Sequence, residues 1–284
     1  MNNVLEIKNL RKSFSEFTLN DISFELPSGY IMGFIGPNGA GKTTAIKLIL
    51  NMLCKESGSV SVFGMDSTSH ELEIKERIGI VMDNHFYADD WKLSEVEKAL
   101  APFYSRWDSE KFGRMLADFS LDPKKKVKDL SRGMKMKLMI AAALSHNADL
   151  LILDEPTSGL DAVARDELTD ILGRFAEDEN KSVFFSTHIT SDLEKIADYI
   201  TFIDSGEILY SDTKDGLMEK YLIVRGGLGV LNEEQKKQII GYREHSVGFD
   251  GLAESSGLNS LPKSVIAEPS TLDEIIIRFN MEGK

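Results

Sequence analysis

An α/β fold with a largely parallel central sheet is predicted, and three observations predict it. Short apolar runs at residues 30–35, 150–153 and 183–185 alternate with stretches of helical periodicity, as strands buried on both faces do. A glycine-rich turn at residues 36–44 joins the first run to a helix-like stretch. Polar residues able to do chemistry, Asp154, Glu155 and His188, follow closely on the other two runs, at the edge where open α/β sheets bind ligands. Flanking segments add an antiparallel β portion, a helical insertion and a small C-terminal appendage.

Taken in order, residues 4–7 and 22–26 alternate apolar and polar as half-buried strands do, and Pro27-Ser28-Gly29 makes a turn. After the glycine-rich turn, Ile46, Ile49, Leu50 and Leu53 fall at i, i+3, i+4, i+7, the buried stripe of a helix. Residues 58–63 and 78–82 return to strand character. From residue 86 aromatic side chains crowd in, and Ser94 with Glu97 forms a capping box that opens a helix. This helical portion extends to about residue 145. Ser205-Gly206-Glu207, between two apolar runs, reads as a hairpin turn. Composition shifts after Lys220. Residues 1–220 are therefore expected to form one domain and 221–284 a small α+β appendage. The appendage ends in a helix capped by Thr271 and Glu274, with Leu272, Ile275, Ile276 and Phe279 on one face. Neither an internal repeat nor a low-complexity tract is present.

The net charge of −13 over 284 residues argues against nucleic acid as the main partner, because phosphate backbones are held by clustered Lys and Arg. Lys124, Lys125, Lys126 and Lys128 read as a solvated loop. The single cysteine, Cys54, cannot form an internal disulfide, which fits a reducing compartment, and is expected to be a small buried apolar residue. No apolar stretch has the length of a membrane span, and the first residues lack the build of a secretion signal. A cytoplasmic protein is expected, and any work on a membrane would need another chain to span it.

Gly36, Pro37, Asn38, Gly39, Ala40, Gly41, Lys42, Thr43 and Thr44 fit G-x-x-x-x-G-K-[ST] between a strand and a helix, the context that makes the pattern a phosphate cradle. Glycines let backbone N–H groups approach phosphate, and the helix start adds its positive dipole end. Lys42 would reach the β- and γ-phosphates, and Thr43 would place its hydroxyl on Mg²⁺. Asp154 suits the same cation, and Glu155 suits polarisation of an attacking water. His188 could hydrogen-bond the γ-phosphate or that water. Ser131 reads either as the ordinary N-cap of an apolar helix or, with the Gly133 N–H nearby, as a second anion site, which would make sense if it faced the γ-phosphate bound by another copy of the chain.

With these motifs in hand, the chain resembles an ATP-binding cassette (ABC) transporter ATPase subunit over about residues 4–220. In family order it carries the Walker A loop, an LSGGQ-type segment as Leu130-Ser131-Arg132-Gly133-Met134, Walker B ending in Asp154 with Glu155, a D-loop that includes Asp161, and the switch histidine His188. The resemblance implies a RecA-like P-loop core and ATP with Mg²⁺ as cofactors. It also implies a head-to-tail dimer with Ser131 and Gly133 on the partner's nucleotide, and a separate transmembrane permease as partner. The second ATPase subunit would be another copy or a paralogue. Phe14 falls where the family stacks an aromatic on adenine. Two departures stand out. Asp83 replaces the Q-loop glutamine and could bind Mg²⁺ directly or through water. Arg132 replaces a glycine, and either adds charge near phosphate or points to solvent. Between them, Phe86, Tyr87, Trp91, Phe103, Tyr104 and Trp107 lie where the family receives a permease helix; most are expected in the core.

The LSRGM segment, Asp83 and the ending Glu268-Pro269-Ser270-Thr271-Leu272 resemble bacterial exporters of the ABC-2 type. A remodeller of ribosomes or nucleic acid is a second class, against which the acidic charge and single cassette weigh. A regulatory module without turnover is a third, against which Glu155 and His188 weigh.

Overall fold

A computed structural model of the chain describes residues 2–83 and 86–282. The chain divides into two compact units, Met1–Ser211 and Asp212–Lys284. The boundary expected after Lys220 falls inside the second unit, at the end of its first helix, Lys214–Lys220.

In the first unit a six-stranded sheet runs in the order Glu207–Thr213, Tyr199–Asp204, Ile31–Ile35, Ser182–Thr187, Leu150–Leu153, Ile78–Val81. The four strands from Ile31–Ile35 to Ile78–Val81 pair in parallel, and Ile31–Ile35 also pairs in parallel with Tyr199–Asp204. Every residue of Ile31–Ile35, Leu150–Leu153 and Ser182–Thr187 is buried, which explains why these runs lack alternation. The register pairs Ile35 with Thr187 and Leu153 with Phe185. The glycine-rich turn, Asp154-Glu155 and His188 therefore leave the sheet side by side at one edge.

An antiparallel sheet, ordered Thr18–Pro27, Asn3–Ser13, Ser57–Val62, Met65–Asp66, packs its apolar residues into the same core. Phe24 of this sheet meets Phe34 and Phe184 of the parallel one at ring centroid distances of 5.5 and 5.7 Å. Burying one such ring stabilises the fold by roughly 1.5–3 kcal/mol relative to exposure. The helix Lys42–Ile49 adds Ala45, Ile46, Leu48 and Ile49 to this core. It ends sooner than its periodicity predicts. Asn51 turns the chain in a left-handed conformation (φ 55°), Leu53 packs only partly against the core, and Cys54 is exposed rather than buried.

The expected helical portion consists of Leu93–Leu100, Ser109–Asp118 and Arg132–Ser145, joined around Leu93, Val96, Phe112, Leu116 and Leu138. The cap at its entry differs from the Ser94/Glu97 reading. Glu95 accepts from the Lys92 N–H at 2.7 Å, while Ser94 lies inside the helix with its N–H on the Pro123 carbonyl at 3.1 Å. The aromatics also differ from expectation. Phe86, Trp91 and Phe103 are exposed, whereas Tyr87, Tyr104 and Trp107 are half-buried. Lys126 and Lys128 reach Asp90 at 3.4 and 2.7 Å.

The second unit holds a four-stranded sheet ordered Ile240–His245, Gly248–Glu254, Tyr221–Gly226, Ile266–Pro269. Its final helix, Leu272–Glu282, has the expected reciprocal cap: Thr271 N–H donates to Glu274 at 2.9 Å, and Glu274 N–H to Thr271 Oγ1 at 3.2 Å. Leu272, Ile275, Ile276 and Phe279 are buried, and Phe279 meets Tyr221 edge to face at 5.1 Å.

Candidate active site

The turn after Ile31–Ile35 is shaped by close approach. A Cβ on Gly36 would stand 2.1 Å from the Ile203 carbonyl oxygen, and one on Gly41 would stand 2.7 Å from the Phe17 ring. Gly41, at φ 109°, is the N-cap of Lys42–Ile49, so the first amides of that helix open toward the turn. Lys42 is buried, and its ammonium donates to the Gly36 and Pro37 carbonyls at 2.8 and 3.2 Å.

The strand Leu150–Leu153 delivers Asp154 into the same space. Asp154 Oδ2 accepts from Thr43 Oγ1 at 2.8 Å, and Oδ1 accepts from Ser186 Oγ at 2.7 Å. Ser186 in turn accepts the Glu155 N–H at 2.9 Å. Glu155 adopts φ 50°, a left-handed conformation costing about 1–3 kcal/mol for a residue with a Cβ. That bend aims its carboxylate between two cations or donors: Oε1 stands 3.1 Å from Lys42 Nζ, and Oε2 stands 2.7 Å from His188 Nδ1. A deeper carboxylate, Asp192, accepts from Thr157 and Thr187 at 2.6 and 3.3 Å. It ties the turn after Glu155 to the segment carrying His188. Burial raises its pKa above the usual carboxylate range.

Phe17, Asn38, Gly39, Gly41, Lys42, Thr43, Thr44, Asp83, Asp154, Glu155, Ser158 and His188 line one cavity of about 480 Å³. Most residues singled out from the sequence thus meet there, with Gly36, Pro37 and Ala40 in the turn that borders it. Others do not. Phe14 is exposed and stacks on Phe17 at 6.4 Å, so Phe17 is the ring facing the cavity. Asp161 caps the helix Ala162–Ala176, accepting from Ala164 N–H at 2.9 Å. Ser131 accepts the Met134 N–H at 3.3 Å as the N-cap of Arg132–Ser145 and, with Gly133, lies outside the cavity lining. The Asp83 carboxylate pairs with the Arg132 guanidinium, so of Thr43, Asp154 and Asp83 only the first two are joined to each other.

Ser186, Asp192 and Phe17 were not singled out by sequence reasoning. The first two are buried, Ser186 in the strand Ser182–Thr187 and Asp192 in the first turn of the helix Thr190–Ile196, and their placement on either side of His188 is the one signal that could have found them. Among the described residues no group of three or more His, Cys, Asp or Glu could hold a metal. A cation beside Thr43 and Asp154 would take the rest of its oxygen shell from phosphate and water, the habit of Mg²⁺.

A second cavity, about 340 Å³ and mostly apolar, is lined by Ile80, Met82, Phe86, Tyr87, Tyr104, Met139 and His146 among others. His146 is buried there against the Tyr104 ring at 4.0 Å. Desolvation lowers its pKa from 6.5 to about 4. No helix among the described residues is long and apolar enough to cross a membrane.

Residues 19–158 match the ABC transporter family. The chain is 32% identical to the bacitracin transport ATP-binding protein BcrA of Bacillus licheniformis, over 92% of this chain and 90% of that one. It is 35% identical to the lantibiotic transport ATP-binding protein SrtF of Streptococcus pyogenes, over 75% of this chain and 92% of that one. A solved ATP-binding subunit of an ABC transporter superposes with a TM-score of 0.67 at 26% identity, covering 75% of this chain and 91% of its own. A dimeric ATP-binding cassette solved with ADP and Pi shares the fold, with a TM-score of 0.66 at 21% identity over 74% of this chain and 98% of its own.

Proposed function

Because the chain belongs to the ATP-binding subunits of ABC transporters and so hydrolyses ATP, we propose that it closes with a second ATPase subunit on ATP to drive export through a separate permease. The observation that carries this reading is the single cavity in which Lys42, Thr43, Asp154, Glu155 and His188 converge on the glycine turn.

In this reading the backbone amides of the turn and Lys42 hold the triphosphate. Gly36 and Gly41 let the turn pack closely against the Ile203 carbonyl and the Phe17 ring, which sets its place beside Lys42. Thr43 and Asp154 offer an oxygen-only pair that suits a hard cation, and Mg²⁺ bound there would neutralise charge on the phosphate oxygens. Glu155 takes the proton of the attacking water, and His188 holds the Glu155 carboxylate in place from its other side. Ser131 and the amides of its helix start, including Gly133, present a second anion site to the nucleotide of a partner copy. The apolar cavity around Phe86 and Tyr104 receives an amphipathic helix of the permease, which would place the chain at the inner face of the membrane. Export rests on the relatives, whose names concern transport of bacitracin and lantibiotics.

Detergent extraction of tagged protein, with identification of the copurifying chain, tests the partner. A membrane permease and ATP-stimulated phosphate release are expected. Recovery of ribosomes or nucleic acid in its place would refute the transport reading.

A further inference from the structure

Two of the positions at which this chain departs from the pattern it resembles, Asp83 and Arg132, lie 49 residues apart in sequence and are partners in space. Asp83 closes the strand end at Ile78–Val81 and faces the phosphate cavity. Arg132 is the first residue of the helix capped by Ser131. Its guanidinium also lies across the turn that follows Glu155: a Cβ on Gly159 would stand 3.0 Å from Arg132 Nη1 and 3.2 Å from Cζ. One side chain on the Ser131 segment thus reaches two others, those carrying Asp83 and the turn after Glu155.

Both partners are about half exposed, at 50% and 44% of the side chain, so the pair adds little to folding stability. Its effect on the site is larger. Alone, the Asp83 carboxylate would set a negative charge facing the triphosphate. Alone, Arg132 would be a long, untethered cation beside Ser131. Paired, the two charges offset each other beside the cavity, and with Nη2 on Asp83 and Nη1 beside Gly159 the guanidinium links the helix start to the cavity edge.

We propose that Asp83 and Arg132 form a charge-paired clasp that positions the Ser131 helix start for ATP hydrolysis, each residue suiting the site only in the presence of the other. The proposal rests on the reading of Ser131 as a phosphate contact.

A double-mutant cycle tests it on the full chain with the permease that copurifies with it. Asp83→Gln and Arg132→Gly each restore one family residue and strand the other partner. Each single variant is expected to lower kcat/KM for ATP at least about fivefold, with Arg132→Gly raising KM as well. The double variant is expected to recover to within about twofold of wild type, a coupling well above the additive range. Arg132→Lys, which keeps the charge without the fork, should fall between wild type and Arg132→Gly. Losses that multiply in the double variant, or singles that match wild type, would overturn the clasp. Ser131→Ala, run alongside, separates this from the parent reading. If Ser131→Ala retains full turnover while the cycle still couples, the role of Ser131 fails and the pairing of Asp83 with Arg132 stands.

Discussion

His188 Nδ1 stands 2.7 Å from Glu155 Oε2, on a carboxylate whose other oxygen meets Lys42 Nζ at 3.1 Å. A carboxylate only accepts, so the first contact places a proton on His188 Nδ1 and leaves Nε2 directed elsewhere. Glu155 is held at both carboxylate oxygens on a left-handed bend, the kind of strain that collects at functional sites.

Glu155→Gln keeps the shape and removes the proposed base. Phosphate release is expected to fall by about 10²–10⁴-fold, while binding of ATP is retained. The measurements are single-turnover phosphate release and nucleotide binding on the same preparation. Turnover within a few-fold of wild type would reject Glu155 as the base.

Ser186 links Asp154 to the Glu155 backbone, donating to one at 2.7 Å and accepting from the other at 2.9 Å. Ser186→Ala leaves a buried acceptor and a buried N–H without this partner. Each such orphan costs about 1–3 kcal/mol. A drop in Tm of about 2–4 °C per kcal/mol is expected for a unit of this size, together with slower phosphate release. Unchanged Tm and turnover would show that Ser186 does not hold the pair.

The sheet and the edge it presents were legible because strands buried on both faces leave short apolar runs, and because Asp154, Glu155 and His188 follow them. What stayed hidden depended on contacts between distant residues. The clasp of Asp83 with Arg132 spans 49 positions, and each residue alone reads only as a departure. The cap at Lys92 pairs its backbone N–H with the Glu95 carboxylate, and since every residue but proline offers that N–H, no Ser, Thr, Asp or Asn marks the N-cap position. Phe17 rather than Phe14 faces the cavity because the packing of Phe17 against the glycine turn, not its residue type, decides which ring is buried. Cys54 lies beyond a helix end set by the left-handed turn at Asn51, which its composition does not foretell.

His146 links stability to pH. Burial lowers its pKa to about 4, so the unfolded chain binds this proton near pH 6.5 and the folded chain does not. The unfolded state therefore holds more protons between about pH 6.5 and 4, and stability is lost as pH falls through that window. A shift of this size corresponds to roughly 3 kcal/mol at its full extent. His146→Phe fills the same place against Tyr104 without a titrating group and is expected to flatten the Tm profile between pH 6.5 and 4. Parallel profiles for the two proteins would exclude His146 as the source.

The role of Ser131 is tested by charge and bulk at a position that the folded subunit leaves open. Ser131 is exposed, and its hydroxyl serves only as the cap of Arg132–Ser145. Losing a cap costs typically about 1 kcal/mol, which a unit with this core tolerates. Ser131→Arg therefore leaves the subunit folded and its own Lys42 cavity intact, because Ser131 does not line it. Where two copies face each other across nucleotide, the same change would fill the space meant for a phosphate. In the Glu155→Gln background, ATP with Mg²⁺ is expected to yield dimers by light scattering, and adding Ser131→Arg is expected to leave monomers that still bind ATP with affinity within about threefold of the parent. Dimers formed equally well by the double variant would place the second anion site outside the contact between subunits.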